Sequence, residues 1–100
     1  LAVVATDITL DKAGCGRLAT MGHDGLARAV APAHTASDGD AAFALSTCAR
    51  PAPDLAGLVA LHAAAADVVS RAVAHAMLAA ETVPTPVGTW RGYRDVVAMR

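Results

Sequence analysis

Aromatic side chains are nearly missing from this sequence of 100 residues: one Phe, one Tyr and one Trp make up 3% of it. Charge is sparse as well, at 17%, and balances to −1 with no cluster of one sign. A nucleic-acid surface needs a basic patch to meet phosphates and, for single strands, aromatics on which bases stack. Neither is present, so nucleic acid is excluded as a partner. Cysteine is limited to Cys15 and Cys48, whose spacing fits neither a disulfide framework nor a metal or redox motif. We treat both as small apolar residues, and a cytoplasmic protein fits. No basic segment precedes the apolar run at Leu1, so no signal peptide is expected. The longest apolar run, Leu55 to Ala66, contains His62 and stops at Asp67. It reads as too short to cross a bilayer, and no membrane partner is expected.

Apolar residues, by contrast, make up 55%, with Ala the largest share. Alanine buries little area per residue, so a chain of this length can build only a thin core from it. Charge at this level is also too low to coat an independent surface. Both facts predict that the chain buries apolar surface against another polypeptide or against copies of itself. A start in an apolar run without Met points to a fragment or a processed product.

Along the chain, Leu1 to Thr6 reads as a buried strand, short, apolar and rich in β-branched residues. A turn is expected over Asp7 to Leu10. Asp11 is the predicted N-cap of a helix from about Lys12 to Ala31, stopped by Pro32, with Asp24 and Arg28 paired at i,i+4. Gly22 and Gly25 share a face of that helix, and their helix cost is offset if a sheet or second helix approaches closely there. Gly14 and Gly16 read as a frayed first turn. A polar turn, Ala33 to Asp40, leads to a second strand, Ala41 to Thr47. After the Pro-rich linker Ala49 to Pro53, Asp54 caps a long helix to about Ala80, apolar nearly all round and therefore expected to be largely buried. Asp67, Arg71 and His75 follow one another at i,i+4 on it. Residues 82–100 form a tail with interface chemistry in Trp90, Arg91, Tyr93 and Arg94. The order strand, helix, strand, helix, tail makes the chain an α+β unit (1–48, 54–81 and 82–100) whose first helix crosses over between strands of one sheet. Two strands do not make a stable sheet, so partner strands must come from elsewhere.

The chemistry concentrates in His34-Thr35-Ala36-Ser37-Asp38-Gly39-Asp40. Two carboxylates two residues apart, next to a buried element, are costly unless something nearby needs them: a metal, a cationic amine or a catalytic nucleophile. Asp-Gly is also common turn chemistry with no further role. A metal would want more oxygen or imidazole ligands. His34 is available, but no EF-hand pattern is present, and neither metal nor cofactor is expected. As a catalytic pair, the two would orient a nucleophile and its proton, the logic of triads and of their N-terminal-Thr variants. Like charges this close should raise one of the two pKa values. His34 otherwise reads as structural, as do His23, His62 and His75 on helices. Ser46 and Thr47 lack a nucleophile elbow.

Val3-Val4-Ala5-Thr6-Asp7, Arg17-Leu18-Ala19-Thr20-Met21-Gly22-His23-Asp24-Gly25-Leu26-Ala27-Arg28-Ala29-Val30, Pro32-Ala33-His34-Thr35, and Asp38-Gly39-Asp40 with Phe43-Ala44-Leu45 together resemble the small chain of the DmpA-like L-aminopeptidase/D-esterase family, which includes nylon-oligomer hydrolases and β-peptidyl aminopeptidases. The resemblance runs to about Thr47 and resumes weakly at Gly92 to Asp95. It implies a precursor that cleaves itself into a large and a small chain, the latter opening on a Thr or Ser nucleophile. It also implies a four-layer αββα sandwich, shared with ornithine acetyltransferase, that is completed by the separate large chain. The heterodimers often form tetramers. By this resemblance Asp38 and Asp40 inherit a catalytic role: one carboxylate bonds the nucleophile's amine or hydroxyl and the other holds the first in place. Oxyanion and substrate-binding groups come mainly from the large chain. The expected activity is hydrolysis of an amide or small peptide through an acyl-enzyme. The alternatives are acyl transfer of the ornithine-acetyltransferase type on the same fold, or an inactive interaction module. The sequence departs from the family pattern in three places. Leu1 stands first, with no Thr-Thr or Ser before the strand, and Thr6 and Thr9 are not equivalents of the nucleophile. Ala41 stands where relatives often carry Thr. Cys48 stands where Gly is common.

Overall fold

A computed structural model describes residues 1–100. The elements are β1 (Ala2–Ile8), α1 (Lys12–Ala29), β2 (Ala42–Arg50), α2 (Leu55–Ala79), the short strands β3 (Val83–Thr85) and β4 (Gly88–Trp90), and α3 (Tyr93–Ala98). The chain is a small α+β unit. β1 and β2 pair in parallel, Ala2 opposite Ala42 through Thr6 opposite Ser46, with α1 as the crossover between them. A crossover is what parallel neighbours require, since no tight turn can join them.

Alternation along the strands sorts their side chains. Ala2, Val4 and Thr6 with Ala42, Ala44 and Ser46 face the helices, while Val3, Phe43 and Leu45 face outward and are exposed. The core joins Val4, Leu18, Leu26, Ala65 and Val69, and Leu18 is the one large side chain fully enclosed. The two glycines on one face of α1 mark where other elements come near. A Cβ on Gly25 would lie 2.5 Å from the carbonyl oxygen of Ala66 and 2.7 Å from the Cβ of Val69, so α2 crosses α1 at that point. A Cβ on Gly22 would meet Val4 Cγ2 at 3.5 Å and Ala42 Cβ at 3.6 Å, an ordinary contact with the sheet. Both helices open on the capping Asp: Asp11 accepts from the Gly14 amide at 2.7 Å, and Asp54 from the Gly57 amide at 2.8 Å.

Several expectations change. β1 continues through Ile8, so no turn occupies Asp7. α1 ends at Ala29, with Val30 already extended at ψ 125°; Ala31, which the predicted helix included, is the residue before Pro32 and is disfavoured in the helical region. Gly14 and Gly16 lie inside the helix, the first held by its Asp11 cap. Arg28 does not pair along its own helix with Asp24. It reaches across to Asp67 on α2 at 2.7 Å, which also takes Asp67 away from Arg71. β2 runs on to Arg50 and shortens the linker. The tail is not irregular: β3 and β4 form an antiparallel hairpin, and α3 follows from Gly92. The long helix is a continuous span of 25 residues, by length and composition long and apolar enough to cross a membrane, where the run to Ala66 looked too short. Nor is it largely buried: only Ala65, Ala66 and Val69 are, on the face that meets α1.

The accessible surface is 7026 Å², against about 5,200 Å² for a compact monomer of this mass. The radius of gyration is 16.6 Å, against about 13 Å for a compact domain of this length.

Candidate functional site: the acidic turn before β2

The segment between α1 and β2 is built around His34. Its backbone is left-handed, at φ 58°, a conformation His tolerates better than most side chains. That twist points the His34 amide at Asp38, whose Oδ2 accepts it at 2.6 Å, while the Asp38 amide donates to the Thr35 carbonyl at 3.0 Å. The His34 ring reaches in two directions. Its Nε2 is 3.3 Å from the His23 carbonyl oxygen on α1, and its Nδ1 is 4.0 Å from Oδ2 of Asp40. The ring also stands edge-on to the His23 ring, with centroids 5.2 Å apart. Asp38, Asp40 and His34, singled out from sequence, are therefore brought together, with one ligand atom from each lying within 4.8 Å of the others.

The electrostatics depart from the sequence reading. Asp38 is held below its ordinary value, chiefly by the His34 amide and also by hydrogen bonding from Asp40. The rise expected in one of the pair gives way, at Asp38, to donors that favour the ionised carboxylate. The same three residues have the minimum donor set for a divalent cation, although one oxygen of Asp38 already serves the His34 amide.

The turn sits at the N-terminal ends of both strands. Ala2 donates its amide to the Ala41 carbonyl at 2.9 Å, one residue beyond Asp40. The parallel register begins at Ala2 opposite Ala42, so the start of β1 lies beside the end of the acidic turn. Asp40 keeps 31% of its side-chain surface open. No cleft within this chain is lined by Asp38 or Asp40: the apolar groove near the start of β1, about 300 Å³, lies between Leu1 to Val3, Leu26 and the α2 residues Val68 to Ala76. A cleft of about 280 Å³ lies far along the chain, between Leu78 to Thr82 and Arg94 with Asp95.

Sequence reasoning missed a second polar cluster, at the opposite end of the strands. Ser46 Oγ donates to the Ile8 carbonyl at 2.6 Å and accepts the amides of Leu10 and Cys48 at 3.3 and 3.1 Å. Cys48 Sγ lies 3.3 Å from the same hydroxyl, which is the main cause of a lowered thiol pKa. Cys48 has φ 55°, and the strand register shifts there between Thr6 and Ile8. A residue that stands where glycine is common was the available signal, since only glycine takes positive φ without strain. His62 Nε2 is buried without a partner.

A crossover-linked parallel pair with an acidic turn at its N-terminal end can orient a nucleophile brought in at the start of β1. Comparison with known proteins supplies the class. Residues 1–90 match peptidase family S58, and the chain belongs to that family, the DmpA family. It is 45% identical, over 92% of its length, to an uncharacterized aminopeptidase of Mycobacterium leprae. It is 42% identical, over 96% of its length, to proteins of the same description from Mycobacterium bovis and Mycobacterium tuberculosis. The chain spans only 29% of the first relative and 30% of the other two.

Proposed function

We propose that this chain is the small subunit of a self-processed peptidase or amidohydrolase. In this reading it opens, ahead of Leu1, on a Thr or Ser whose hydroxyl is the nucleophile. The observation that supports the reading is the hydrogen bond from Ala2 to Ala41, which ties the start of β1 to the residue after Asp40, so that a nucleophile preceding Leu1 would be brought toward the acids. Membership in a peptidase family and relatives described as aminopeptidases support a small peptide or amide as substrate.

The roles of the two acids follow from their partners. Asp38 is held by the His34 amide, so it serves as the fixed member. Asp40, nearer β1, bonds the nucleophile's amine or hydroxyl. The hydroxyl oxygen attacks the scissile carbonyl carbon, and its proton passes to the chain's own terminal amine, supported by the carboxylate. Collapse of the tetrahedral intermediate expels the leaving amine with that proton and leaves an ester. Water then attacks the ester, releasing the acid and restoring the hydroxyl. Oxyanion donors and the side-chain pocket come from the large chain, consistent with the lack of a cleft at the acids here. The exposed outer sheet face and the excess surface support completion of a four-layer αββα sandwich by that chain. Such heterodimers then assemble into tetramers in the cytoplasm.

The test is made in the full gene product. Asp38→Ala and Asp40→Ala are each expected to lower turnover of a small peptide or amide at least about a hundredfold. Intact mass should give a small chain beginning on Thr or Ser. Unchanged turnover in both variants removes the assignment of the acids. An uncut precursor points to the inactive interaction module, and transfer to ornithine in preference to water points to the acyltransferase.

A further inference from the structure

The geometry points to His34 as the positioning residue of this site, a role that rests on the reading just given of Asp38 and Asp40. Three separate contacts converge on it. Its backbone amide fixes Asp38 at 2.6 Å, its Nε2 is tied to the His23 carbonyl of α1 at 3.3 Å, and its Nδ1 faces Asp40 at 4.0 Å. A carbonyl oxygen only accepts, so Nε2 carries the hydrogen, and in the neutral ring Nδ1 is a bare lone pair. A lone pair facing an ionised carboxylate repels it. Once Nδ1 is protonated, the same atom draws the carboxylate in and donates to it. The ring thus stands where it can hold or displace the Asp40 carboxylate. The groups facing the ring are His23 from α1, and Asp38 and Asp40 from its own turn.

His34 thus couples the C-terminal half of α1 to the acid pair, holding one carboxylate with its backbone and steering the other with its ring. Two conservative replacements separate the ring's arms. Asn takes the left-handed backbone readily and offers an N–H near the Nδ1 position, whereas Gln offers one near Nε2 and leaves Asp40 without a neighbour.

The experiment uses the full gene product, with folding checked by circular dichroism, processing by intact mass, and kcat and KM measured on a small peptide or amide. His34→Gln is expected to lower kcat about tenfold with KM within about twofold. His34→Asn, which keeps an N–H near the Nδ1 position, is expected to stay within about threefold of the parent. His23→Gln leaves the carbonyl contact in place and should stay within about threefold of the parent, which assigns the loss to His34 rather than to the neighbouring ring. Parental kcat in His34→Gln overturns the inference, and so does an equal loss in the Asn and Gln variants. If Asp40→Ala abolishes turnover while both His34 variants behave as the parent, only the role of His34 fails. If Asp38→Ala and Asp40→Ala are themselves fully active, it is the underlying reading of the acids that fails.

Discussion

Replacing Gly25 and Gly22 by Ala, one at a time, tests how α1 is seated. The two substitutions are chemically identical and lie on one face of one helix, yet opposite outcomes are expected. At Gly25 the new methyl would stand 2.5 Å from the Ala66 carbonyl oxygen and 2.7 Å from the Val69 Cβ. The first neighbour is backbone and cannot rotate away, so α1 and α2 must part by most of an ångström. That separation loosens the contacts of Leu26 and Val69, both buried in the same core. Overpacking of this kind costs about 1–3 kcal/mol, while removing a helical glycine returns about 0.8–1 kcal/mol. The net expectation for Gly25→Ala is destabilisation by up to about 2 kcal/mol. At Gly22 the methyl meets Val4 and Ala42 at 3.5 and 3.6 Å, a normal packing distance, so the propensity gain stands nearly alone. Gly22→Ala should be neutral or stabilising by up to about 1 kcal/mol. Urea denaturation of the full gene product and its two variants measures both changes, with equal m-values as the check that only stability moved. Equal stability of the two variants, or a more stable Gly25→Ala, would refute the close crossing.

Two further outcomes are expected. Cys48→Gly should raise stability by about 0.5–1 kcal/mol, because a left-handed cysteine carries a conformational cost that exceeds its contact with Ser46 Oγ; a lower melting temperature than the parent would contradict this. Asp38 is depressed below 3.8 in the folded chain, so its stabilisation of the turn is full above the unfolded carboxylate range and fades as pH falls through the depressed value. The His34 amide proton, followed by NMR, should therefore titrate with a midpoint below 3.8, and a midpoint at or above that value counts against the hydrogen bond.

What the sequence disclosed was local and periodic. Asp11 and Asp54 were legible as caps because an N-cap is a short-range contact, settled within three residues. The close approach at Gly25 was legible because a glycine in a helix interior is a cost that only a near neighbour offsets. The neighbour's identity was not, and the same limit explains Arg28. An i,i+4 partner at Asp24 is available from spacing alone, but the preference is worth only tenths of a kcal/mol, and the packing of α2 offers Asp67 instead. The hairpin at 83–90 was hidden by Pro84 and Pro86, which argue against strands in general but are tolerated in a two-stranded ribbon with open edges. In the candidate site, Asp38 and Asp40 were visible as a pair. The donors that lower Asp38 were not, because they depend on a left-handed His34, and nothing in the pattern of side chains specifies that backbone angle.

The thinness of the core and the location of the acids are linked. A parallel sheet is normally covered on both faces; here one face carries the helices while Val3, Phe43 and Leu45 stand open on the other, and β1 has a free edge beside an apolar groove. The surface in excess of a compact monomer, about 1,800 Å², is about twice the ~800 Å² that each partner contributes to a standard protein–protein interface. Burying it by self-association would cover the outer face but bring only more copies of the same acidic turn. Covering it with the remainder of a protein more than three times as long, as the relatives are, would instead set new side chains against the turn at Asp40. The acids lie at the N-terminal ends of the strands, at the rim of the uncovered sheet. A pocket can close over them only from outside this chain. In the proposed reading, the same surface that leaves the chain poorly enclosed on its own would then set the acid pair at a seam between two polypeptides.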